Sequence, residues 1–399
     1  MNETEMKNQI KSMIEEYLPT LKANNSRDNT EDSLFYSFRP QDNTTVKIMT
    51  DSEMELFNAP IKFIINQKFI SENYSEEFIQ NRVLDLYHKL LLDESKIDEY
   101  IDDLVNSISK KNINKFFVAS EIENIRILDD QEYILADSTV KIMKEEDLPF
   151  KKGISSVADN LIGKPSIFTR VNAGDVEKAK EKALHNFMIS FNLLRLYFPI
   201  FKPTLKGGLL SGMQGVAIYN ETRDNLASSV FRVGDLNLIS AYLNKEIYDK
   251  LKELGIEELR KENAISKVAK ECLYWYGLGL DEKYPSAKLL NFVTVLESVL
   301  KRKNETSELR RTVSERGAIL LYDQFNERKE AVKQLKEIYA IRSKVVHTGT
   351  LIGDKDIAFL AGEYARRVLI ELIKRSREFD GNFYEFINHI DDMKLGKRS

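Results

Sequence analysis

Apolar residues recur at helical spacing along most of the chain. One face of the first 18 residues is apolar and carries Met6, Ile10, Met13, Ile14, Tyr17 and Leu18, which predicts an amphipathic helix. Helices are also predicted over about 75–109 and over 176–198, where Asp175 suits an N-cap and Pro199 a stop. The polar segment 19–33 begins with proline and predicts a linker or a long loop.

The period changes to two in several shorter stretches, which predicts strands. Runs rich in β-branched and aromatic residues occupy 34–38, 45–49 and 61–65, and two longer runs within 113–143 predict a hairpin. The segment 204–219 carries four glycines, Gly207, Gly208, Gly212 and Gly215. It favours a flexible loop or bulged hairpin, with a phosphate cradle as the alternative, although no complete phosphate-binding motif is present.

From about residue 240 the pattern predicts helices almost exclusively. They are expected at 240–254, 262–276, 286–302, 306–326, 328–347, 355–377 and 383–394. The predicted fold is therefore an α+β N-terminal region over 1–261, followed by an all-α bundle over 262–378. A C-terminal tail helix is expected within 379–399.

Composition restricts the class of protein. The 399 residues are 42% hydrophobic and 31% charged, as in soluble globular proteins. The single cysteine, Cys272, excludes an internal disulfide, zinc fingers and iron–sulfur clusters, and favours a reducing compartment. The four histidines are widely spaced, which argues against a His-based metal site and leaves an all-carboxylate magnesium site as the alternative. We expect no metal and no cofactor. We find no signal peptide and no apolar run of about 18 residues, and expect a cytoplasmic protein without membrane contact.

The near-neutral net charge of −4 hides a basic segment. Residues 288–377 contain 19 Lys and Arg against 12 Asp and Glu. Such a segment is either a solvated helix face or a surface for an anionic partner such as RNA. The charge pattern alone leaves both alternatives open.

The segment 334–349 carries the candidate chemistry. On a helix of 100° per residue, Arg342 falls in the middle of an apolar arc, where an unpaired arginine is rare. It is either a structural cation, paired or snorkelling, or a functional guanidinium at an interface. His347 lies about 140° away, so both can act on one atom only if a second helix or subunit faces them. Gly349 suits the left-handed position after the helix end.

A second predicted helix offers a partner for this arginine. Glu297 sits at the edge of the apolar face of 288–301. A carboxylate there needs a cation, and both Arg342 and Lys344 are candidates.

These residues resemble a known family. Arg342-Ser-Lys-Val-Val-His347 fits the Arg-x4–6-His motif of HEPN domains (higher eukaryotes and prokaryotes nucleotide-binding). Preceding it are an aromatic helix at 268–280 and Thr-Val-Leu-Glu-Ser-Val-Leu at 294–300, and a final helix follows it. The order of these segments is similar to that of the Apea-like HEPN subfamily and covers 262–378. Thr348 and Ser343 depart from residues common in the family at those positions.

The resemblance implies a metal-independent endoribonuclease with a composite site in a homodimer or higher oligomer. Arg342 and His347 would be catalytic, with Lys344, Ser343, Tyr339 and Glu297 binding substrate or supporting the site. RNA, with tRNA as one candidate, would be the substrate. The expected role is antiphage defence by abortive infection or a toxin-like stress response, with a phage-derived or other protein trigger at the N-terminal region. The alternative is a non-catalytic HEPN dimerisation or nucleotide-binding module of a defence complex.

Overall fold

The computed structural model describes most of the chain in two compact units. The described residues are 2–25, 36–38, 46–48, 50–149, 161–203, 205–206, 213–232, 241–306, 308–349, 351 and 355–396. Unit 1 comprises Met1–Val118, Arg170–Lys182 and Ile218–Ala227; unit 2 comprises Ala119–Thr169, Ala183–Ala217 and Ser228–Ser399. In the part of the chain that is described, no helix is long and apolar enough to cross a membrane.

Unit 1 is largely helical. Its helices are α1 (Glu3–Asn25), α2 (Asp51–Ile65), α3 (Lys68–Asn73), α4 (Glu76–Leu92) and α5 (Ile97–Ser107). Strands β1 (Tyr36–Phe38) and β2 (Val46–Ile48) pair antiparallel, which confirms strand structure in the described parts of 34–38 and 45–49. The helices bury one apolar core, in which the rings of Tyr17 and Tyr87 lie 5.3 Å apart.

Two expectations for this unit are wrong. Helix α1 continues through Pro19 to Asn25, so the predicted linker does not begin at the proline. The reason is burial, since Leu21 and Asn24 beyond Pro19 remain packed inside. The predicted strand 61–65 is the end of α2, because Phe57, Ile61 and Ile64 follow helical spacing and are all buried.

The strands of the middle region form a seven-stranded, mainly antiparallel sheet and a separate two-stranded pair. They are β3 (Asn114–Ile122), β4 (Ile125–Ile127), β5 (Tyr133–Leu135), β6 (Ser138–Ile142), β7 (Pro165–Ala173), β8 (Leu205–Lys206), β9 (Met213–Asn220), β10 (Asn225–Arg232) and β11 (Ala241–Leu243). The order is β10-β9-β3-β7-β6-β5, with β8 on β3, while β4 and β11 pair parallel to each other.

This topology corrects the predicted hairpin over 113–143. Only β5 and β6 form a hairpin, with Leu135 opposite Ser138. Strand β3 is separated from β6 by β7, which comes later in the chain. A local pattern cannot reveal a strand inserted from a distant segment. Of the glycine-rich segment, Gly207, Gly208 and Gly212 lie outside the described residues, and Gly215 lies in β9.

The remaining helices confirm the all-helical character of the C-terminal region. They are α6 (Val176–Tyr197), α7 (Lys245–Glu253), α8 (Ala264–Asp281), α9 (Pro285–Leu300), α10 (Leu309–Leu321), α11 (Phe325–Thr348), α12 (Lys355–Arg375) and α13 (Phe383–Lys394). The described residues beyond β11 contain no strand. The helix predicted at 240–254 is shorter, because Ala241–Leu243 pairs with β4 and Asn244 then caps α7 at the N–H of Ile247.

A buried arginine joins several of these helices. Arg316 on α10 is 4% exposed, and its guanidinium donates five hydrogen bonds. They run to the carboxylates of Glu305 and Asp391 and to the carbonyl of Leu300, at distances from 2.6 to 3.3 Å. All five of its N–H donors are therefore satisfied. The group ties the end of α9 and the following loop to α10 and α13.

The carboxylate of Glu305 depends on this cation. Burial raises the pKa of Glu305, but hydrogen bonds from Arg316 and from the backbone N–H of Arg302 bring it below its ordinary value. A lowered folded-state pKa adds stability above the unfolded pKa of about 4.3. That stability is lost as the pH falls through the folded-state pKa.

We predict that Arg316→Leu lowers the free energy of unfolding by about 3–5 kcal/mol at pH 7, since it leaves Glu305 without its cation and removes one of the two arginines that bind Asp391. Arg311→Leu is the matched control. It removes an exposed arginine of the same helix that pairs with Glu308, and should cost less than about 1 kcal/mol. The fluorescence of Trp275 on α8, the only tryptophan, reports urea unfolding of this region.

When urea unfolding is repeated below about pH 4, the difference in free energy of unfolding between wild type and Arg316→Leu should become smaller. Protonated carboxyl groups carry no charge and therefore no longer need the cation. Equal losses in the Arg316→Leu and Arg311→Leu proteins at pH 7 would contradict the structural role of Arg316.

Candidate functional site

Helix α11 carries most of the candidate residues, and its two halves differ in packing. Up to Tyr339 the helix buries Ala331, Leu335, Ile338 and Tyr339. From Ile341 to the end of the helix no side chain is buried. Gly349 then takes the left-handed conformation, with φ +64°, as expected for the residue that ends this helix. The candidate chemistry therefore lies on the less packed end of a well-anchored helix.

Arg342 meets Glu297 across the packed helices α11 and α9. Its Nη2 lies 3.7 Å from Oε1 of Glu297, and the two side chains are 32% and 20% exposed. This distance is an ion-pair contact and is too long for a hydrogen bond. The described residues offer Arg342 no hydrogen bond, so the carboxylate positions the guanidinium while its donors remain available.

Of the two cations considered for Glu297, the structure brings Arg342 to it. Lys344, two residues further along α11, is exposed and makes no ion pair with the described residues. The ammonium group of Lys344 is therefore exposed to solvent and available to contact a binding partner.

Tyr339 lies one turn before Arg342 and is 6% exposed. Burial raises its pKa well above the ordinary value, and the nearby carboxylate of Glu297 raises it further. A neutral, buried tyrosine in this position packs beneath the Arg342–Glu297 pair. The ring is not accessible for stacking on a base in this conformation.

His347 and Ser343 both lie on the exposed surface of α11. Among the described residues, His347 has no hydrogen bond and no ion pair. Its imidazole therefore faces solvent and is not oriented by a second group of the same chain. Arg342 and His347 are about 140° apart around α11, as five residues of helix require, and no hydrogen bond joins the two side chains among the described residues.

Apolar side chains around this helix end are also left uncovered. Val346 is 48% exposed and Leu351, just after the helix, is 84% exposed. Ile341 and Val345 are only half buried. An arginine, a histidine and incompletely packed apolar residues thus share one end of α11.

The described residues show no group of three or more His, Cys, Asp or Glu side chains that could hold a metal ion. Cys272 is fully buried, and burial raises the pKa of its thiol. The thiol is therefore not a nucleophile at neutral pH.

Sequence reasoning missed two groups of residues in this region. Arg316 and its carboxylates were not anticipated, although Arg316 lies one turn after the buried Val313 and one turn before the buried Leu320. A group of lysines, Lys283, Lys288 and Lys355, lines a cavity between helices. Their positions on separate elements give no signal in the sequence.

Comparison with known proteins assigns no family to the chain. No protein-family model, no curated protein and no solved structure matches it. Functional inference therefore depends on the residues and their geometry.

The Arg342–Glu297 pair allows a direct test of whether this arginine serves stability. We predict that a double-mutant cycle of Arg342→Met and Glu297→Gln gives a coupling energy of at most about 1 kcal/mol, because the pair is long and partly exposed to solvent. Urea unfolding followed by Trp275 fluorescence measures it. A coupling of about 3 kcal/mol or more would instead assign Arg342 to a structural ion pair.

Proposed function

We propose that the C-terminal helical region is a HEPN-type domain that cuts RNA without a metal ion, at a composite site built from Arg342 and His347 of two copies. One observation carries the proposal. Arg342 is held by a single long contact to Glu297, keeps its donors unfilled, and shares an exposed helix end with His347. The ordered sequence resemblance to Apea-like HEPN domains supports the same assignment.

The chemistry fits these residue types. His347 accepts the proton of a ribose 2′-hydroxyl as its oxygen attacks the adjacent phosphorus. The bond to the 5′ oxygen breaks, and this oxygen takes up a proton from an acid, for which the partner subunit's His347 is available. The products are a 2′,3′-cyclic phosphate and a free 5′-hydroxyl. The need for a 2′-hydroxyl restricts the reaction to RNA.

Arg342 has the complementary role. Its planar guanidinium binds two phosphate oxygens at once and stabilises the charge that develops on them. Glu297 orients the guanidinium, and Tyr339 fills the space beneath. Exposed Lys344 and Ser343 contact the flanking backbone of the RNA.

A second copy would complete the site. The Arg342 and His347 side chains of one helix point about 140° apart, so a facing helix is needed to bring both groups to one phosphate. Two exposed apolar residues at the same helix end, Val346 and Leu351, form a surface that the facing helix of the second copy would bury. A homodimer, or a higher oligomer built from it, satisfies both requirements.

The biological role rests on the resemblance alone. We propose a cytoplasmic effector of antiphage defence or stress response, in which the N-terminal region responds to a phage-derived or other protein trigger. Cellular RNA, including tRNA, is the proposed target. A non-catalytic HEPN module is the competing function, and cleavage assays separate the two.

We predict that purified protein cuts total RNA in the presence of EDTA, and that His347→Ala and Arg342→Ala abolish cleavage while leaving the melting temperature near that of wild type. Loss of a general base typically costs about 10²–10⁴ in rate, and loss of a charge-stabilising donor about 10²–10³. Both groups act on one step, so the double variant should be little slower than either single one.

Lys344→Ala should weaken RNA binding mildly and lower its salt dependence, since it removes one phosphate contact. Lys329→Ala, an exposed lysine at the start of the same helix, is the matched control and should bind RNA as wild type does. A His347→Ala protein that cuts RNA at the wild-type rate would end the catalytic proposal. An Arg342→Ala protein that unfolds would favour the structural ion pair.

The proposed dimer has its own prediction. Val346→Asp should raise the dimer dissociation constant at least about tenfold, because it places a charge among apolar residues of the interface. Sedimentation at micromolar concentration measures it. Phe325→Asp is the control, since Phe325 is a 77% exposed apolar residue at the opposite end of α11. A wild-type protein that stays strictly monomeric, with or without RNA, would contradict the composite site.

A further inference from the structure

A cavity of about 380 Å³ lies in the C-terminal helical region. Its walls come from the last turns of α8, the first turns of α9 and the first turns of α12. Cavities of roughly 300–1,000 Å³ are typical of sites for small ligands. Neither Arg342 nor His347 lines this cavity, so its role is separate from the proposed cleavage.

One side of the cavity, which we call its floor, is formed by the tightly packed apolar rings of Tyr276 and Phe292. Phe292 of α9 lies 5.8 Å from the ring of Tyr276 on α8. A Cβ atom at Gly279 would lie 2.5 Å from the Phe292 ring, and one at Gly362 would lie 2.8 Å from it. Only glycine allows the backbones of α8 and α12 to approach the ring this closely. The floor is therefore set by close helix packing on both sides of Phe292.

One aromatic side chain at the cavity is strongly exposed. Phe359 on the first turns of α12 lines the cavity and is 71% exposed. It follows Ala358, which is buried and also lines the cavity. An exposed ring beside an apolar floor offers a second face for a flat ligand.

The charged lining is predominantly basic. Lys283, Lys288 and Lys355 line the cavity, and Glu363 is the one acidic residue among the described lining residues. Glu363 already has a cation, with its carboxylate 3.9 Å from Nη1 of Arg366. Lysines therefore outnumber carboxylates among the described residues that line the cavity.

Two of these lysines lack a partner carboxylate among the described residues. Lys355 forms no ion pair there, and the ammonium of Lys288 makes only a long contact of 3.5 Å, to the carbonyl oxygen of Leu280. Burial lowers the pKa of Lys288 from its ordinary value, which the more distant Asp281 only partly offsets. A cation that is partly withdrawn from water in this way is stabilised by an arriving anion.

We propose that this cavity binds a small organic anion with a flat apolar body. The apolar body lies on the floor formed by Tyr276 and Phe292 and against Phe359. The anionic group lies between Lys288 and Lys355. An aromatic carboxylate and a nucleoside monophosphate share this chemistry.

Three probes test separately whether the apolar body and the anionic group of a ligand contribute to binding. 1-Anilinonaphthalene-8-sulfonate carries a flat apolar body and an anion, N-phenyl-1-naphthylamine carries the body alone, and sulfate carries the anion alone. Fluorescence titration of the full chain should show saturable, one-site binding of the sulfonate dye. The neutral dye and sulfate should each bind at least about tenfold more weakly. Equal affinity for the two dyes would overturn the role of the lysines.

Matched variants locate the binding site. Lys288→Gln and Lys355→Gln should each weaken binding of the sulfonate dye about three- to tenfold, and Phe359→Ala about fivefold. Two control variants, Lys374→Gln at the other end of α12 and Phe325→Ala on α11, remove a lysine and a phenylalanine that do not line the cavity. They should leave the affinity for the sulfonate dye unchanged. Unchanged melting temperatures exclude unfolding as the cause. Equal affinity in cavity variants and controls would overturn the proposal.

Competition against the bound dye then distinguishes natural sources of the ligand. Displacement by adenosine monophosphate supports a nucleotide, and displacement by benzoate supports an aromatic carboxylate. Failure of both to displace the dye at millimolar concentration would contradict a site for a natural anion. None of these outcomes depends on whether the protein cuts RNA.

Discussion

The saturated guanidinium of Arg316 is the interaction on which the C-terminal region depends. Its geometry is tightly constrained, because its five N–H donors bind Glu305, Asp391 and Leu300 at the same time, at distances of 2.6–3.3 Å. Leu300 is the last residue of α9, and Glu297 lies one turn earlier on that helix. Fixing the end of α9 therefore fixes the carboxylate that positions Arg342. A buried charge cluster thus controls the placement of the partly exposed Arg342–Glu297 pair.

The helices of this region could be predicted from the sequence, and part of the N-terminal half could not. The helices followed from local periodicity, because each helix buries its own stripe against neighbours, but their ends did not. The helix predicted at 306–326, for example, is Leu309–Leu321. The segment 61–65 was misread because five residues satisfy both a strand and a helix pattern, and only the buried Phe57 before it resolves the choice. The inserted strand β7 is a long-range pairing, which no local pattern contains.

The contacts of the candidate residues were only partly predictable. The position of Arg342 within an apolar arc indicated a need for a carboxylate, and the edge position of Glu297 indicated a need for a cation. Sequence left Lys344 as an equal candidate, and three-dimensional packing selected Arg342. The partners of Arg316 lie 11 and 75 residues away along the chain, so that cluster was beyond sequence reasoning.

A comparison among arginines of the same helical region explains why Arg342 stands apart. Arg316 fills all five donors, and Arg195 binds Asp281 through two nitrogens at 2.9 and 3.1 Å. Both are almost fully buried. Arg342 instead makes one contact of 3.7 Å, remains a third exposed, and lies beside apolar residues that no described residue covers. For a single copy this arrangement leaves a partly desolvated cation and unburied apolar surface, both of which cost free energy. In the proposed dimer, a facing surface that buries the apolar residues and brings a phosphate to the guanidinium would recover both contributions at once, so the proposal couples dimerisation to anion binding at the same helix end.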